Sequence, residues 1–152
     1  MTLETKLKSI EKQMIDLALN YANHQVDGVY IYCVTEKYVQ SFDLFYRIKD
    51  TYIDRHELNH FFDTDKQIDN SSDTVFDMLT KGLEYGEDLQ QLCLSYEQSY
   101  PTELWIIYDH TSKQWQTTYS YEARYETRPD HVHMTPYEEI EKWFEQAKSQ
   151  GL

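Results

Sequence analysis

"VQSFDLFYRIKDTYIDRHELNHFF", residues 39–62, supports two incompatible readings. In its first ten residues Phe42, Leu44, Tyr46 and Ile48 fall on one side, while Ser41, Asp43 and Arg47 fall mostly on the other. A period of two marks a strand with one buried face. Lys49-Asp50 then supplies a turn, and "TYIDRHEL" (51–58) pairs back as a further strand. Yet His56-Glu57-Leu58-Asn59-His60 also spells H-E-x-x-H. On an α-helix that spacing sets two histidines one turn apart as zinc ligands, with the glutamate activating the bound water.

The neighbouring segments favour the strand. "GVYIYCV" (28–34) is rich in β-branched and aromatic residues and reads as the strand before it. Upstream, Leu3, Leu7, Ile10, Met14, Leu17 and Tyr21 recur at spacings of three and four behind a Thr2 cap. They predict an amphipathic helix with Glu4, Lys8, Glu11 and Lys12 on the wet side, stopping near His24. Residues 59–72 are polar and acidic and read as a loop. Val75, Met78, Leu79, Leu83, Leu89, Leu92 and Cys93 repeat at helical spacing, with Gly82 and Gly86 expected to bend or split the helix. "TELWIIYD" (102–109) and "QWQTTYSYEAR" (114–124) flank a four-residue turn and predict a hairpin. Thr135-Pro136-Tyr137-Glu138 is a capping box opening a last helix, whose buried stripe is Ile140, Trp143, Phe144 and Ala147. The expected fold is α+β, one domain over residues 1–152, in the order α-β-β-β-α-β-β-α. A three-strand meander and a C-terminal hairpin form an antiparallel sheet with helices packed on one face.

In that frame "HELNH" follows a strand pattern and precedes "FFDTDKQIDNSSD", which lacks an apolar helical face. The strand reading makes His56 and Glu57 surface residues, Leu58 a core plug and His60 a loop residue. The metal reading needs a third ligand, for which His131, His133 and Glu84 are candidates. It makes the chain a zinc-dependent hydrolase, with His56 and His60 as ligands and Glu57 as base. "DTDKQIDNSSDT" (63–74) resembles a calcium loop with donors at Asp63, Asp65, Gln67 and Asp69. Ile68 stands where such a loop needs glycine, and Thr74 where it needs a bidentate glutamate, so a dedicated calcium site is rejected. No phosphate loop, dinucleotide fingerprint or nucleophile elbow occurs, and no cofactor is implied.

Charge is the strongest signal. The formal net charge is −13, which disfavours nucleic acid and anionic membrane as direct partners. From Asp54 to Asp88 there are ten acidic and three basic residues, a net of −7. That run is either a solvated face or a docking surface for a basic protein. The docking reading assigns partner contact to Asp63, Asp65, Asp69, Asp73 and Asp77, with Phe61 and Phe62 as apolar anchors. Cys33 and Cys93 lie in apolar runs without metal or redox spacing, as expected of buried thiols in a reducing compartment. The first residues lack the apolar core of a signal peptide, and no apolar run reaches membrane-spanning length, so a cytoplasmic protein is expected.

"FDLFYRIKDTYIDRHELN" (42–59), "YPTELWIIYDHTSKQWQTTYSYEARY" (100–125) and "YEEIEKWFEQAKS" (137–149) resemble the YezG-like immunity proteins, antitoxins of bacterial polymorphic toxins. The resemblance rests on a Pro-Thr-Glu lead into a strand, a Tyr-Asp turn and a Tyr-rich partner strand. It implies a cytoplasmic, non-enzymatic protein that binds and blocks a cognate toxin domain, often a nuclease. A nuclease presents a basic groove shaped for phosphates, which an acidic, aromatic surface can cover. A generic acidic adaptor for another basic partner is the remaining alternative.

Overall fold

The computed structural model describes residues 2–125 and 135–152. Helix α1 (Leu3–Tyr21) leads into β1 (Gly28–Thr35), β2 (Gln40–Ile48) and β3 (Thr51–Asp54). Two 3-10 segments, Arg55–Phe61 and Thr64–Lys66, precede α2 (Ser72–Ser95). β4 (Glu103–Asp109), β5 (Gln114–Ser120) and α3 (Pro136–Gln150) complete the chain. The five strands form one sheet in the order β3-β2-β1-β4-β5, antiparallel throughout. The α+β class and the order of elements agree with the reading of the sequence. Among the described residues, no helix is long and apolar enough to cross a membrane.

β1 is central, and all eight of its residues are buried. Its two faces feed two cores. Val29, Ile31 and Cys33 join Phe42, Leu44, Tyr46, Leu104 and Ile106 under α1 and α2. Tyr30, Tyr32 and Val34 join Phe45 under Ile140, Trp143 and Ala147 of α3. The expectation of helices on one face is therefore corrected: α3 covers the opposite face. Aromatic packing holds it there. The Tyr30 ring stacks on Phe45 at 4.6 Å, and Trp143 meets Phe45 edge-on at 5.1 Å.

Local signals account for the helix ends. Thr2 accepts from the Thr5 amide, Ser71 from Thr74, and Thr135 from Glu138. Gly151 closes α3 in the left-handed region, φ 67°. Gly82 and Gly86 do not break α2, which runs unbroken for 24 residues. They let it approach the sheet. A Cβ on Gly82 would stand 2.2 Å from Cδ1 of Phe42, and one on Gly86 3.0 Å from Sγ of Cys33.

Glu11 departs from the wet side expected of it and is only 2% exposed. Its carboxylate accepts from Trp115 Nε1 and Thr117 Oγ1, both at 2.8 Å, and from the Tyr119 hydroxyl. Three alternate residues of β5 thus converge on one buried acid. Glu103 is buried too, taking the Tyr32 hydroxyl and the Arg124 guanidinium, which also reaches Glu139 at 2.9 Å. Buried carboxylates persist only with such partners.

Candidate partner-binding surface

The segment holding "HELNH" is a 3-10 helix, Arg55–Phe61, and the strand before it ends at Asp54 rather than 58. The Asp54 side chain caps it by accepting from the His56 amide at 3.1 Å. With about three residues per turn, positions four apart point roughly 120° away from each other, whereas positions three apart eclipse. His56 and His60 therefore do not share a face as they would on an α-helix. His60 Nδ1 instead lies 2.6 Å from Glu57 Oε2, so ligand and base of the motif contact one another. His56 Nε2 lies 3.6 Å from Asp54. Leu58 is the core plug that the strand reading expected, at 1% exposure. Among the described residues, no group of three or more His, Cys, Asp or Glu is placed to hold a metal ion. His131 and His133 lie outside the described residues.

The acidic stretch beyond is a built loop. Asn59 clamps it like a piece of backbone: its Oδ1 accepts from the Ile68 amide at 2.8 Å, and its Nδ2 donates to the Ile68 carbonyl at 3.1 Å. Ile68, the residue that spoils the calcium pattern, is buried as the loop's apolar anchor. Gln25 from the turn after α1 donates to the Lys66 carbonyl at 2.9 Å. Asp69 takes the Thr74 hydroxyl at 2.6 Å and the Ser71 amide at 3.0 Å. Those bonds, Thr74 first, hold its carboxyl below the usual aspartate value. Asp69 is thus tied to the start of α2. Asp73 sits in the first turn, where the helix dipole favours an acid.

Nine of the ten acidic residues between 54 and 88 are exposed, including Asp63, Asp65, Asp69, Asp73 and Asp77. The positive charges among them are mostly engaged. Arg55 Nε turns to Asp43 at 2.8 Å, and Lys81 pairs with Glu84 at 3.2 Å. Phe61 stands 51% exposed, but Phe62 is half-buried and packs on the main core. Only one of the two expected anchors is therefore free. A second exists that the sequence reading missed: Phe76, 68% exposed, on α2 beside Asp73 and Asp77. Its signal was its position. It falls off the Val75-Met78-Leu79 stripe, and an aromatic residue off the buried stripe must face outward.

A further concavity of 360 Å³ lies between α3 and the β2–β3 side of the sheet. Asp43, Asp54, His56, Tyr137, Glu141 and Glu145 line it around Leu44, Phe45, Ile140 and Phe144. Its chemistry repeats that of the loop, carboxylates around an apolar floor. Sequence distance hid it, since one wall comes from residues near 50 and the other from residues near 140. No protein-family model matches the chain, and no curated protein matches it either.

Proposed function

We propose that this protein is an immunity protein, which binds a cognate basic toxin domain of nuclease type and neutralises it by covering its phosphate-binding groove. One observation carries this reading: the stretch from Glu57 to Asp88 exposes nine carboxylates together with two outward-facing phenylalanines, Phe61 and Phe76. Acidic side chains steer a basic partner and set its orientation, while exposed aromatics supply the apolar contact that holds it. The carboxylates around the α3 groove extend the same complementarity to a second element. The resemblance to YezG-like immunity proteins supports the same reading. Inhibition of this kind requires no chemistry from the inhibitor.

The test starts from the neighbouring gene, where a large open reading frame ending in a basic domain is expected, and measures association of that domain with this chain. A stoichiometric complex that weakens as salt rises is expected, with loss of nuclease activity. Reversing Asp63, Asp73 and Asp77 to lysine should weaken binding and flatten its salt dependence. Unchanged binding by that triple variant would reduce the acidic stretch to a solvated face.

A further inference from the structure

The two edges of the sheet are built differently. β3 is four residues long, ends on the charged Asp54 and has α3 packed beside it. Short length, charge and a covering helix are the devices by which proteins protect an edge. β5 is neither short nor charged, and among the described residues no helix packs along it as α3 does along β3. It runs seven residues, Gln-Trp-Gln-Thr-Thr-Tyr-Ser, with no charged residue and no proline. Its register with β4 is continuous from Asp109↔Gln114 to Glu103↔Ser120, so no bulge twists it away. No described strand pairs with its outer side. In a chain that is 27% charged, a seven-residue edge without a charge is a feature to be explained.

We infer that β5 is a self-association edge, pairing antiparallel with β5 of a second copy across a twofold axis at Thr117. The strand is self-complementary in that register. Trp115 faces Tyr119 of the second copy, Gln116 faces Thr118, and Thr117 faces itself. Aromatic pairs and Thr–Thr pairs are among the favourable cross-strand combinations. The flanks agree in charge: Lys113 precedes the strand and Glu122 follows it, so each end brings opposite charges near one another. A basic partner would find no carboxylate on this strand. Two chains of net charge −13 repel elsewhere, and here they meet on neutral ground. Trp115, Thr117 and Tyr119 all donate to Glu11, which fixes those side chains before pairing. The product doubles the five-stranded sheet, an isologous dimer in which the same strand serves both sides. β3, which leads into the acidic loop, is the opposite edge, so dimerisation leaves both partner-binding surfaces uncovered.

The full chain is measured by sedimentation over a concentration series. Twice the 18.4 kDa of one chain is expected at the upper end. Gln116→Lys with Thr118→Lys sets like charges opposite each other twice and should weaken the dimer on the order of tenfold. Gln116→Lys with Thr118→Glu sets opposite charges in the same places and should restore it. A single-chain mass throughout the series overturns the inference, and so does a dimer that the double-lysine variant leaves intact. Circular dichroism checks each variant's fold. Should the double-lysine variant unfold, amide exchange of the wild-type chain decides: protection at 114–120 must rise with concentration, and constant protection overturns the pairing.

Discussion

The ring of Phe42 in β2 occupies the space where a Cβ on Gly82 of α2 would stand, 2.2 Å from its Cδ1. Helix and sheet touch there without an intervening side chain. Gly82→Ala should therefore destabilise the fold by about 1–3 kcal/mol through overpacking, despite a gain of about 1 kcal/mol in helix propensity. Gly86→Ala sets its Cβ 3.0 Å from Cys33 and 3.1 Å from Thr35, tight contacts that shifts of a few tenths of an ångström relieve, and should cost less. Denaturant titration of both variants checks the order. Phe42→Leu combined with Gly82→Ala should recover part of the loss, and full additivity of the two changes would refute the contact.

Glu11 ties α1 to β5 through three donors, and its removal leaves all three without an acceptor. Glu11→Ala should cost about 3 kcal/mol, and Glu11→Gln less, because an amide still offers an oxygen. Chemical denaturation reads the difference. Equal losses in the two variants would show that the charge and the second carboxylate oxygen carry the whole effect, and that the side chain's packing carries none.

The depressed Asp69 carboxyl makes the start of α2 sensitive to acid. A group whose folded-state pKa lies below its unfolded value stabilises the fold above the unfolded value, and that contribution fades as pH falls through the folded one. Carbon-detected titration should place Asp69 below an ordinary aspartate. Thr74→Val removes the leading cause and should move it upward. No movement in that variant would contradict the assignment to the Thr74 hydroxyl.

Phe61 and Phe76 expose their rings, so truncation should leave stability within about 0.5 kcal/mol of wild type. If they anchor a partner, Phe76→Ala should weaken the complex by about tenfold, more than 1 kcal/mol. Phe62→Ala should do the reverse, lowering stability because its ring packs on the core. Calorimetry of the free chains and titration of the complex separate the two effects. An unchanged affinity in Phe76→Ala would remove it from the interface.

Helix caps, the hairpin and the strand order of residues 28–54 were all legible in the sequence, because each depends on neighbours within a few positions. Thr135 and Pro136 start α3 where the capping box sits, and Asp109 and Gln114 close the hairpin. The burial of both faces of β1 was also written there. "GVYIYCV" is apolar at both parities, which a strand with one wet face would not be. Such a run requires cover on both sides but does not say which helix supplies it. The five aspartates of the acidic surface were found from charge alone, since charged side chains stay in water unless paired. Phe62 was misjudged because two adjacent loop aromatics do not reveal which one turns inward, and Phe76 was missed although its place off the α2 stripe marked it as outward-facing.

By itself the sequence determined the elements, their order, the α+β class and the acidic character of the 54–88 stretch, all properties of local period and composition. Tertiary structure alone decided four things: the side on which α3 packs, the burial of Glu11, the close approach at Gly82, and the 3-10 pitch that parts His56 from His60. Each depends on what lies across the sheet or at the end of a strand. A carboxylate is buried only where distant donors converge on it, and a five-letter motif takes its geometry from the helix type that its surroundings impose.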